Sequence, residues 1–327
     1  MSADRGQRPV GISLGDPAGI GPEIVAHALA TRPDAPLLVF GDAAILDAAA
    51  SAMRVPLPDR SRIRTIGPSD HPTDGRIRPG QPNLASAFAQ MAYLEGATAA
   101  ALSGEIRALC TAPISKSWIA RTGFAFPGHT EFLAARTATT DFAMMLAGPR
   151  LRIVLATTHL ALRDVPARLT PEDVARAAVL AAHALVDQFG IGRSRVAVAG
   201  LNPHAGESGR FGDEETRIVA PGIALARARL SATGWPAVVT GPYPPDAVFR
   251  AAALGEFDAV VALYHDQGLI PVKLLHFDEA VNITLGLPFV RTSPDHGTAY
   301  ALAGTGRANP ASFLAALDLA LRLSHPR

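Results

Sequence analysis

The sequence predicts an α/β fold in which α/β/α layers are built on mixed, mainly parallel sheets. Runs of branched apolar residues at 151–156, 195–200 and 259–263 are typical of strands that are buried on both faces. Stretches with helical spacing of apolar residues alternate with these runs, which indicates βα units. Residues 141–147 and 151–156 are separated by only three residues, so they predict an antiparallel hairpin that makes the sheet mixed.

The chain length bears on domain organisation. Its 327 residues exceed the roughly 250–300 residues at which a single hydrophobic core stops growing. No internal repeat and no low-complexity linker divides the chain into consecutive domains. We therefore expect residues 1–327 to form two interleaved α/β lobes with the active site in the cleft between them.

Composition argues against several partners and locations for the protein. The formal net charge is +1 and no run of Lys or Arg stands out, which argues against nucleic acid and anionic membranes. The single cysteine, Cys110, excludes an internal disulfide and suits a reducing compartment. No segment has the roughly 18 apolar residues that span a bilayer, and residues 1–9 lack the apolar core of a secretory signal. A cytoplasmic protein is expected.

The first βα unit carries a glycine-rich turn. A strand at residues 10–14 leads into Gly15–Glu23, and apolar residues at helical spacing follow from Ile24. This order presents backbone N–H groups to an anion, although a tight βα turn with a proline at the helix start explains it as well. The turn lacks the G-x-G-x-x-G pattern, so the fold is not predicted to be a Rossmann fold.

The remaining elements of the first half follow in order. We predict strands at 37–40 and 62–66, helices at 42–53 and 85–102, loop structure over most of 56–82, and a strand end at 109–116 that carries Lys116. Thr130 is a plausible N-cap of the next helix. That helix would place His129 and Thr130 at its N-terminus, a position suited to an anion.

In the second half, Thr170 and Pro171 predict the start of a helix that ends near residue 189. A glycine-rich loop at 205–215 precedes a helix that ends near residue 230. Asp246 is interpreted as the N-cap of a short helix after a strand at 237–240. A strand at 281–285, loops at 286–292 and 295–309, and a helix at 310–323 complete the chain.

Three histidines each follow an apolar strand and precede a polar turn: His159, His204 and His265. Ligands of open α/β sheets bind outside the carboxyl ends of the strands, so the three imidazoles could meet at one point. Three protein ligands with a vacant position are typical of a catalytic site for Zn²⁺, Co²⁺ or a similar divalent cation. Each histidine taken alone is more simply a polar residue lining a strand end.

Lys273, Asn282 and Arg291 are predicted to lie near strand ends in the last third of the chain. Two cations and an amide donor match a phosphate or a carboxylate, although each residue could also be solvated or ion-paired. The residues thus favour a metal-dependent enzyme that acts on a small anionic substrate. They leave hydrolysis and redox chemistry as open alternatives.

Several longer motifs resemble those of a known family. They are GDPAGIGPE from Gly15, PGHTEF, ATTHLALRDVP, GLNPHAGE-x-G, YHDQG, VNITLGLPFVRTS and DHGTA-x-x-LAG from Asp295. Together they resemble the 4-hydroxythreonine-4-phosphate dehydrogenase family of vitamin B6 biosynthesis over nearly the whole chain. The resemblance implies oxidation of the C3 hydroxyl of 4-phosphooxy-L-threonine with NAD⁺ or NADP⁺, and loss of CO₂ to give 3-amino-2-oxopropyl phosphate.

The resemblance also implies roles for individual residues. It places one divalent metal per subunit (Zn²⁺, Co²⁺ or Mg²⁺) on His159, His204 and His265. It places the substrate on His129, Thr130, Lys273, Asn282 and Arg291, and it implies a homodimer in which the partner subunit completes each active site. Asp246, Asp266 and Lys116 are further candidates for orienting groups or handling protons.

The cofactor site is predicted in the C-terminal tail. His296, Gly297, Thr298, Ala299 and Asn309 lie in a segment similar to the adenosine-binding loop of the isocitrate and isopropylmalate dehydrogenases. Those enzymes also oxidise a 2-hydroxy acid with loss of a carboxylate, but they hold their metal with aspartates. A plain loop before a C-terminal helix is the simpler alternative.

Three other functions remain open. A paralogue would oxidise erythronate or threonate 4-phosphate, or an aromatic cis-dihydrodiol, with the same histidines. A metal-dependent hydrolase would need no nicotinamide. A phosphate-binding protein without catalysis would have no use for three convergent imidazoles.

Overall fold

The structure is a computed structural model that describes residues 8–56, 59–66 and 77–324. Its strands are β1 (Val10–Ser13), β2 (Leu37–Gly41), β3 (Ile63–Thr65), β4 (Ala108–Thr111), β5 (Ala143–Ala147), β6 (Arg152–Leu155), β7 (Ser194–Ala199), β8 (Ala237–Tyr243), β9 (Ala259–Ala262), β10 (Val281–Leu285) and β11 (Val290–Pro294). Parts of the predicted loop at 56–82 lie outside the described residues. So do residues 1–7, which contributed to the prediction that the chain has no secretory signal.

The α-helices of the described residues alternate with these strands. They are α1 (Gly21–Thr31), α2 (Ala43–Met53), α3 (Leu84–Leu102), α4 (Lys116–Ile119), α5 (His129–Arg136), α6 (Val165–Arg168), α7 (Pro171–Asp187), α8 (Ala220–Ala232), α9 (Pro245–Ala253), α10 (His265–His276) and α11 (Ala311–Leu323). In the part of the chain that the structure describes, no helix combines the length and the apolar character needed to cross a membrane.

The chain divides into two compact units. The first contains residues 1–139 and 287–327, and the second contains residues 140–286. The first unit is therefore assembled from both ends of the chain.

The first unit is built on parallel strands in the order β3-β2-β1-β4-β11. Every residue of β1 and β4 is buried, as expected of strands covered on both faces. Helix α3 packs on β1, β2 and β4, and α11 packs on β4 and β11. Because the strands are parallel, their carboxyl ends lie at one edge, where the Gly15–Glu23 turn, Lys116 and the loop after Pro294 begin.

The second unit has the strand order β10-β5-β6-β9-β7-β8. Strands β10, β5 and β6 are antiparallel neighbours, whereas β6, β9, β7 and β8 run parallel. Helices α9 and α10 bury one face against Ile153, Leu155 and Val260, while α7 packs on the same strands. The predicted mixed, mainly parallel sheet and the hairpin at 141–156 are confirmed.

Local signals located most helix starts correctly. Thr170 forms a capping box with Asp173 at the start of α7, and Pro171 occupies the first position, as predicted. Asn83 forms a second capping box, with Ser86, at the start of α3. In each box both residues satisfy backbone N–H groups that a helix start leaves without partners.

Two predicted caps are wrong. The N-cap of α5 is Gly128, whose extended backbone precedes His129, so Thr130 lies inside the first turn. The N-cap of α9 is Pro244, because Pro245 occupies the first helical position and moves Asp246 into the first turn.

Three predictions about local structure in the last third are also wrong. Residues 290–294 form strand β11 instead of a loop, because parallel pairing with β4 overrides the Gly and Pro signals. His265–Gly268 begin helix α10 instead of forming a turn. Lys273 therefore lies in a helix and not at a strand end, even though Pro271 sits inside that helix.

Candidate active site

The three histidines follow adjacent strands of the second unit. Strand β9 pairs with β6 on one side and β7 on the other, and all three are parallel. His159, His265 and His204 follow the ends of β6, β9 and β7 respectively. The carboxyl ends that carry them therefore lie side by side at one edge of the sheet, as the sequence predicts.

Two of the imidazoles are close together. The ring centroids of His159 and His265 are 5.6 Å apart. Two nitrogens that bind one Zn²⁺ at about 2.1 Å lie at most about 4.2 Å from one another, and this ring separation is compatible with that requirement. His265 Nδ1 lies 2.7 Å from Asp266 Oδ1, the kind of contact that orients a metal-binding imidazole. The donor chemistry of this pair fits a divalent cation.

His204 is exposed. Its ring centroid lies 6.3 Å from that of Phe211, and its backbone is left-handed, with φ 53°. Among the described residues, no group of three or more His, Cys, Asp or Glu side chains is arranged to hold a metal ion. The structure thus brings the rings of His159 and His265 together, and the role of all three histidines as ligands stays a prediction.

Two polar residues that the sequence did not single out connect the three strand ends. Thr157 Oγ1 donates to the carbonyl of Leu263 over 2.6 Å, which joins the end of β6 to that of β9. Gln267 Oε1 accepts from the N–H of Leu263, and its Nε2 donates to the carbonyl of Gly200. Both side chains are buried. They hold the histidine-bearing strand ends in a fixed arrangement, and only their positions in the fold reveal this.

A cluster of positive charge lies in the first unit. Arg291 is 2% exposed, and its Nη2 donates to Thr111 Oγ1 over 2.7 Å. The Lys116 side chain lies against Gly128 at the start of α5, since its Cε is 3.1 Å from where a Cβ on that glycine would lie. His129 is the first residue of the same helix, and its buried Nε2 has no hydrogen-bond partner within the described structure. These groups are suited to an anion.

Burial lowers the pKa values of Arg291 and His129 in this cluster, and neighbouring positive charges lower that of His129 further. Burial lowers the pKa of Arg291 from 12.5 to about 10. Burial first, and then the positive charges of Arg291 and Lys116, lower the pKa of His129 well below 6.5. His129 is therefore neutral at neutral pH and can accept or donate a hydrogen bond without adding charge.

The other predicted site residues are more dispersed. Asp246 and Asp266 are exposed in the first turns of α9 and α10. Lys273 is half-buried on α10. Asn282 lies in β10 opposite Leu146, and its buried Oδ1 has no hydrogen-bond partner in the described parts of the chain.

The predicted cofactor loop packs against the glycine-rich turn of the same unit. The N–H of Ile20 donates to the carbonyl of Thr298 over 2.9 Å. Gly19 approaches so closely that a Cβ there would be 2.8 Å from the same oxygen, which explains the glycine. Tyr300 Oη donates to Asp16 Oδ2 over 2.6 Å, and burial raises the pKa of that carboxyl.

The individual loop residues differ in exposure and role. His296 is half-buried with its Nδ1 3.0 Å from the carbonyl oxygen of Gly297, and Ala299 has a left-handed backbone. Asn309 Oδ1 accepts from the N–H of Ala311 at the start of α11. Asn309 therefore has a structural contact in addition to its predicted role toward the cofactor.

Comparison with known proteins points to one family. The sequence model described as pyridoxal phosphate biosynthetic protein PdxA matches residues 33–320. The chain is 48% identical to 4-hydroxythreonine-4-phosphate dehydrogenase of Desulfosudis oleivorans, with 95% of each chain covered, and 46% identical to that of Erythrobacter litoralis, with 96% of each covered.

Solved structures agree with the sequence relatives. A crystal structure of 4-hydroxythreonine-4-phosphate dehydrogenase from Klebsiella pneumoniae is 40% identical and superposes with a TM-score of 0.84 over 98% of each chain. The structure of a terephthalate 1,2-cis-dihydrodiol dehydrogenase from Burkholderia xenovorans is 33% identical, with a TM-score of 0.68, over 96% of this chain and 98% of that one.

Proposed function

Because the chain belongs to the family of pyridoxal phosphate biosynthetic protein PdxA, a family of dehydrogenases, we propose that it oxidises the C3 hydroxyl of 4-phosphooxy-L-threonine. NAD⁺ or NADP⁺ would accept the hydride, and the resulting β-keto acid would lose CO₂ to give 3-amino-2-oxopropyl phosphate. The identity of 48% over 95% of both chains is the observation that carries this proposal.

His159, His204 and His265 are proposed to hold one divalent cation, with Zn²⁺, Co²⁺ and Mg²⁺ as candidates. Such a cation supplies Lewis acidity, which lowers the pKa of a bound hydroxyl. The 5.6 Å approach of the His159 and His265 rings supports this role for two of the ligands. Asp266 orients the His265 ring through Nδ1 and leaves Nε2 available as the ligand atom.

The positive cluster of the first unit is proposed to bind the anionic groups of the substrate. Arg291 and Lys116 supply charge, and neutral His129 and the neighbouring Thr130 supply hydrogen bonds. Lys273 and Asn282 are proposed to contact the same substrate. Binding through the phosphate would fix C3 relative to the nicotinamide and lower the entropic barrier to hydride transfer. The buried guanidinium of Arg291, with the positive charge of Lys116 and the buried Nε2 of His129 near it, supports this assignment.

The loop that contains His296, Gly297, Thr298 and Ala299 is proposed to bind the adenosine part of the cofactor, with Asn309. Its anchoring to the glycine-rich turn through Ile20 and Tyr300 supports a preorganised loop. Asp246, Asp266 and Lys116 are retained as candidates for proton transfer.

The enzyme is proposed to be a cytoplasmic homodimer whose active sites are completed by the partner subunit. Helix α10, which begins at His265, exposes a stripe of large apolar side chains in the isolated chain. Ile270 and Leu274 of the helix and Phe277, its C-cap, are 66%, 83% and 74% exposed, at spacings of four and three residues that place them on one face. Such a stripe supports a protein–protein interface next to the proposed metal ligands.

A second candidate substrate class is the aromatic cis-dihydrodiols. The relative named as a terephthalate 1,2-cis-dihydrodiol dehydrogenase supports it, since that chain is 33% identical over nearly its full length. Higher identity to the phosphate-substrate enzymes favours 4-phosphooxy-L-threonine. Steady-state assays on 4-phosphooxy-L-threonine, erythronate 4-phosphate and a cis-dihydrodiol, run side by side, would rank them by kcat/KM.

The proposed function is tested by measuring NADH absorbance with 4-phosphooxy-L-threonine, with and without a chelator. His204→Ala should lose bound metal and turnover while it keeps the circular dichroism spectrum of the wild type. His183→Ala is the matched control, because His183 packs on Trp235 with ring centroids 4.3 Å apart and is not a proposed ligand. Normal metal content and rate in His204→Ala would refute the metal assignment.

A further inference from the structure

The segment that carries His204 has an unusual backbone. His204, Ala205, Gly206, Glu207 and Ser208 have φ values of 53°, 52°, 82°, 42° and 58°, so they form a short left-handed turn. Residues other than glycine rarely adopt this conformation, and consecutive ones almost never do. Such a turn persists only where its surroundings hold it in place.

The carboxylate of Glu215 holds the residues that lead into this turn. Its Oε1 accepts from the backbone N–H groups of Leu201 and Asn202, each over 2.8 Å. Its Oε2 accepts from Asn202 Nδ2 over 3.0 Å. Glu215 is 6% exposed, so these hydrogen bonds form away from water. Three donors on one buried carboxylate determine where the chain leaves β7 and enters the turn.

Two glycines make room for this carboxylate. A Cβ on Gly206 would lie 2.7 Å from Glu215 Oε2, and a Cβ on Gly200 would lie 3.2 Å from Oε1. Glu215 itself opens a π-helical turn, Glu215–Val219, that precedes α8. Single π-helical turns often occur at functional sites because they redirect one side chain. The carboxylate therefore occupies space that a side chain at either glycine would fill.

We infer that Glu215 is a positioning residue that sets the location of His204 for cation binding. The inference rests on the proposed function, in which His204 is a metal ligand. Glu215 does not touch the cation. It fixes the turn from which the imidazole projects, in the way that groups behind a metal ligand commonly determine metal affinity.

The test uses Co²⁺ as the probe and the full-length protein. Glu215→Gln preserves side-chain size but places an amide donor against the Asn202 amide, which is also a donor. Glu214→Gln is the matched control. Glu214 is the neighbouring residue and accepts from the same Asn202 side-chain amide over 2.7 Å, whereas the backbone N–H groups of Leu201 and Asn202 donate to Glu215. Each variant is titrated with Co²⁺ while the visible absorption of the bound ion is recorded, and thermal unfolding of the metal-free protein is measured in parallel.

The expected result is a Co²⁺ dissociation constant raised about 10- to 100-fold in Glu215→Gln, with an altered visible spectrum, and an unchanged constant in Glu214→Gln. If Glu215→Gln unfolds more easily but keeps the wild-type constant and spectrum, Glu215 supports only the fold and the inference is overturned. If Glu215→Gln does not fold, Glu215→Asp carries the test, because it keeps the carboxylate but shortens the side chain and so draws the acceptors away from the N–H groups of Leu201 and Asn202. A wild-type constant and spectrum in Glu215→Asp would then overturn the inference.

His204→Ala separates this inference from the proposed function. Loss of Co²⁺ binding in His204→Ala together with wild-type binding in Glu215→Gln refutes only the positioning role. Wild-type Co²⁺ binding in His204→Ala refutes the proposed metal site itself.

Discussion

Replacement of Arg291 by methionine should weaken substrate binding strongly while it changes the free energy of unfolding little. Arg291 is almost fully buried, and its pKa falls from 12.5 to about 10 because burial disfavours the charged form. At about 1.4 kcal/mol per pH unit, this difference corresponds to about 3 kcal/mol against the charge. Arg291→Met removes that cost but also leaves the buried Thr111 hydroxyl without its donor, at about 1–3 kcal/mol. The two effects offset one another.

We therefore expect the free energy of unfolding of the ligand-free variant to stay within about 2 kcal/mol of the wild type. Substrate binding should respond very differently. Removing one partner of a buried, hydrogen-bonded charge pair costs about 2–5 kcal/mol, so the dissociation constant for 4-phosphooxy-L-threonine should rise at least about 30-fold. Urea denaturation measures the first quantity, and isothermal titration calorimetry measures the second.

Arg62→Met is the matched control. Arg62 is also partly buried and donates to the backbone carbonyls of Arg32 and Ala35, but it has no proposed role toward the substrate. Its substitution should leave the dissociation constant unchanged. A large loss of stability in Arg291→Met combined with unchanged substrate affinity would show that Arg291 serves the fold, and the reasoning from buried charge would be refuted.

Four further outcomes are expected. The pKa of His129 lies below its unfolded value of about 6.5, so on acidification the unfolded state takes up a proton before the folded state does. The free energy of unfolding should therefore fall as the pH drops below about 6.5. Urea denaturation at a series of pH values should show a weaker pH dependence of this free energy in His129→Gln. If the proposed homodimer forms through α10, Leu274→Glu should yield monomers in light-scattering measurements, whereas the exposed control Leu254→Glu should stay dimeric. A dimeric Leu274→Glu would contradict the proposed interface. A chelator should abolish NADH formation and added Co²⁺ should restore it; activity that survives complete metal removal would argue against the cation's role. Asn83→Ala should lower the free energy of unfolding by about 1 kcal/mol in chemical denaturation, and an unchanged value would mean that the capping box is not needed.

The sequence allowed the strands that carry the histidines to be located closely. Residues 151–156, 195–200 and 259–263 were predicted as strands, and β6, β7 and β9 occupy those positions within a residue or two. Buried strands are specified by short runs of apolar residues, which can be read without knowledge of the partner strands. The capping residues Thr170 and Pro171 were predictable for the same reason, since a capping box is completed within four residues.

Structural features that depend on residues far away in the sequence were not predicted. Strand β11 was predicted as a loop because its pairing with β4, more than 170 residues earlier, is invisible in the local pattern. The apolar residues beside Arg291 made a solvated side chain less expected, but its burial in a strand follows from that pairing. The sequence also gave no sign that Gln267 and Glu215 would hold the strand ends, because their partners are backbone groups elsewhere in the fold.

Residue chemistry therefore identified the candidate metal ligands, the candidate anion-binding residues and the family, since imidazoles, guanidinium groups and long motifs are properties of the chain itself. Tertiary structure alone decided which of them meet. It placed β6, β9 and β7 side by side and brought His159 to His265, while it held His204 on a left-handed turn. The physical reason is that proximity across a sheet depends on strand order and register, which long-range packing determines.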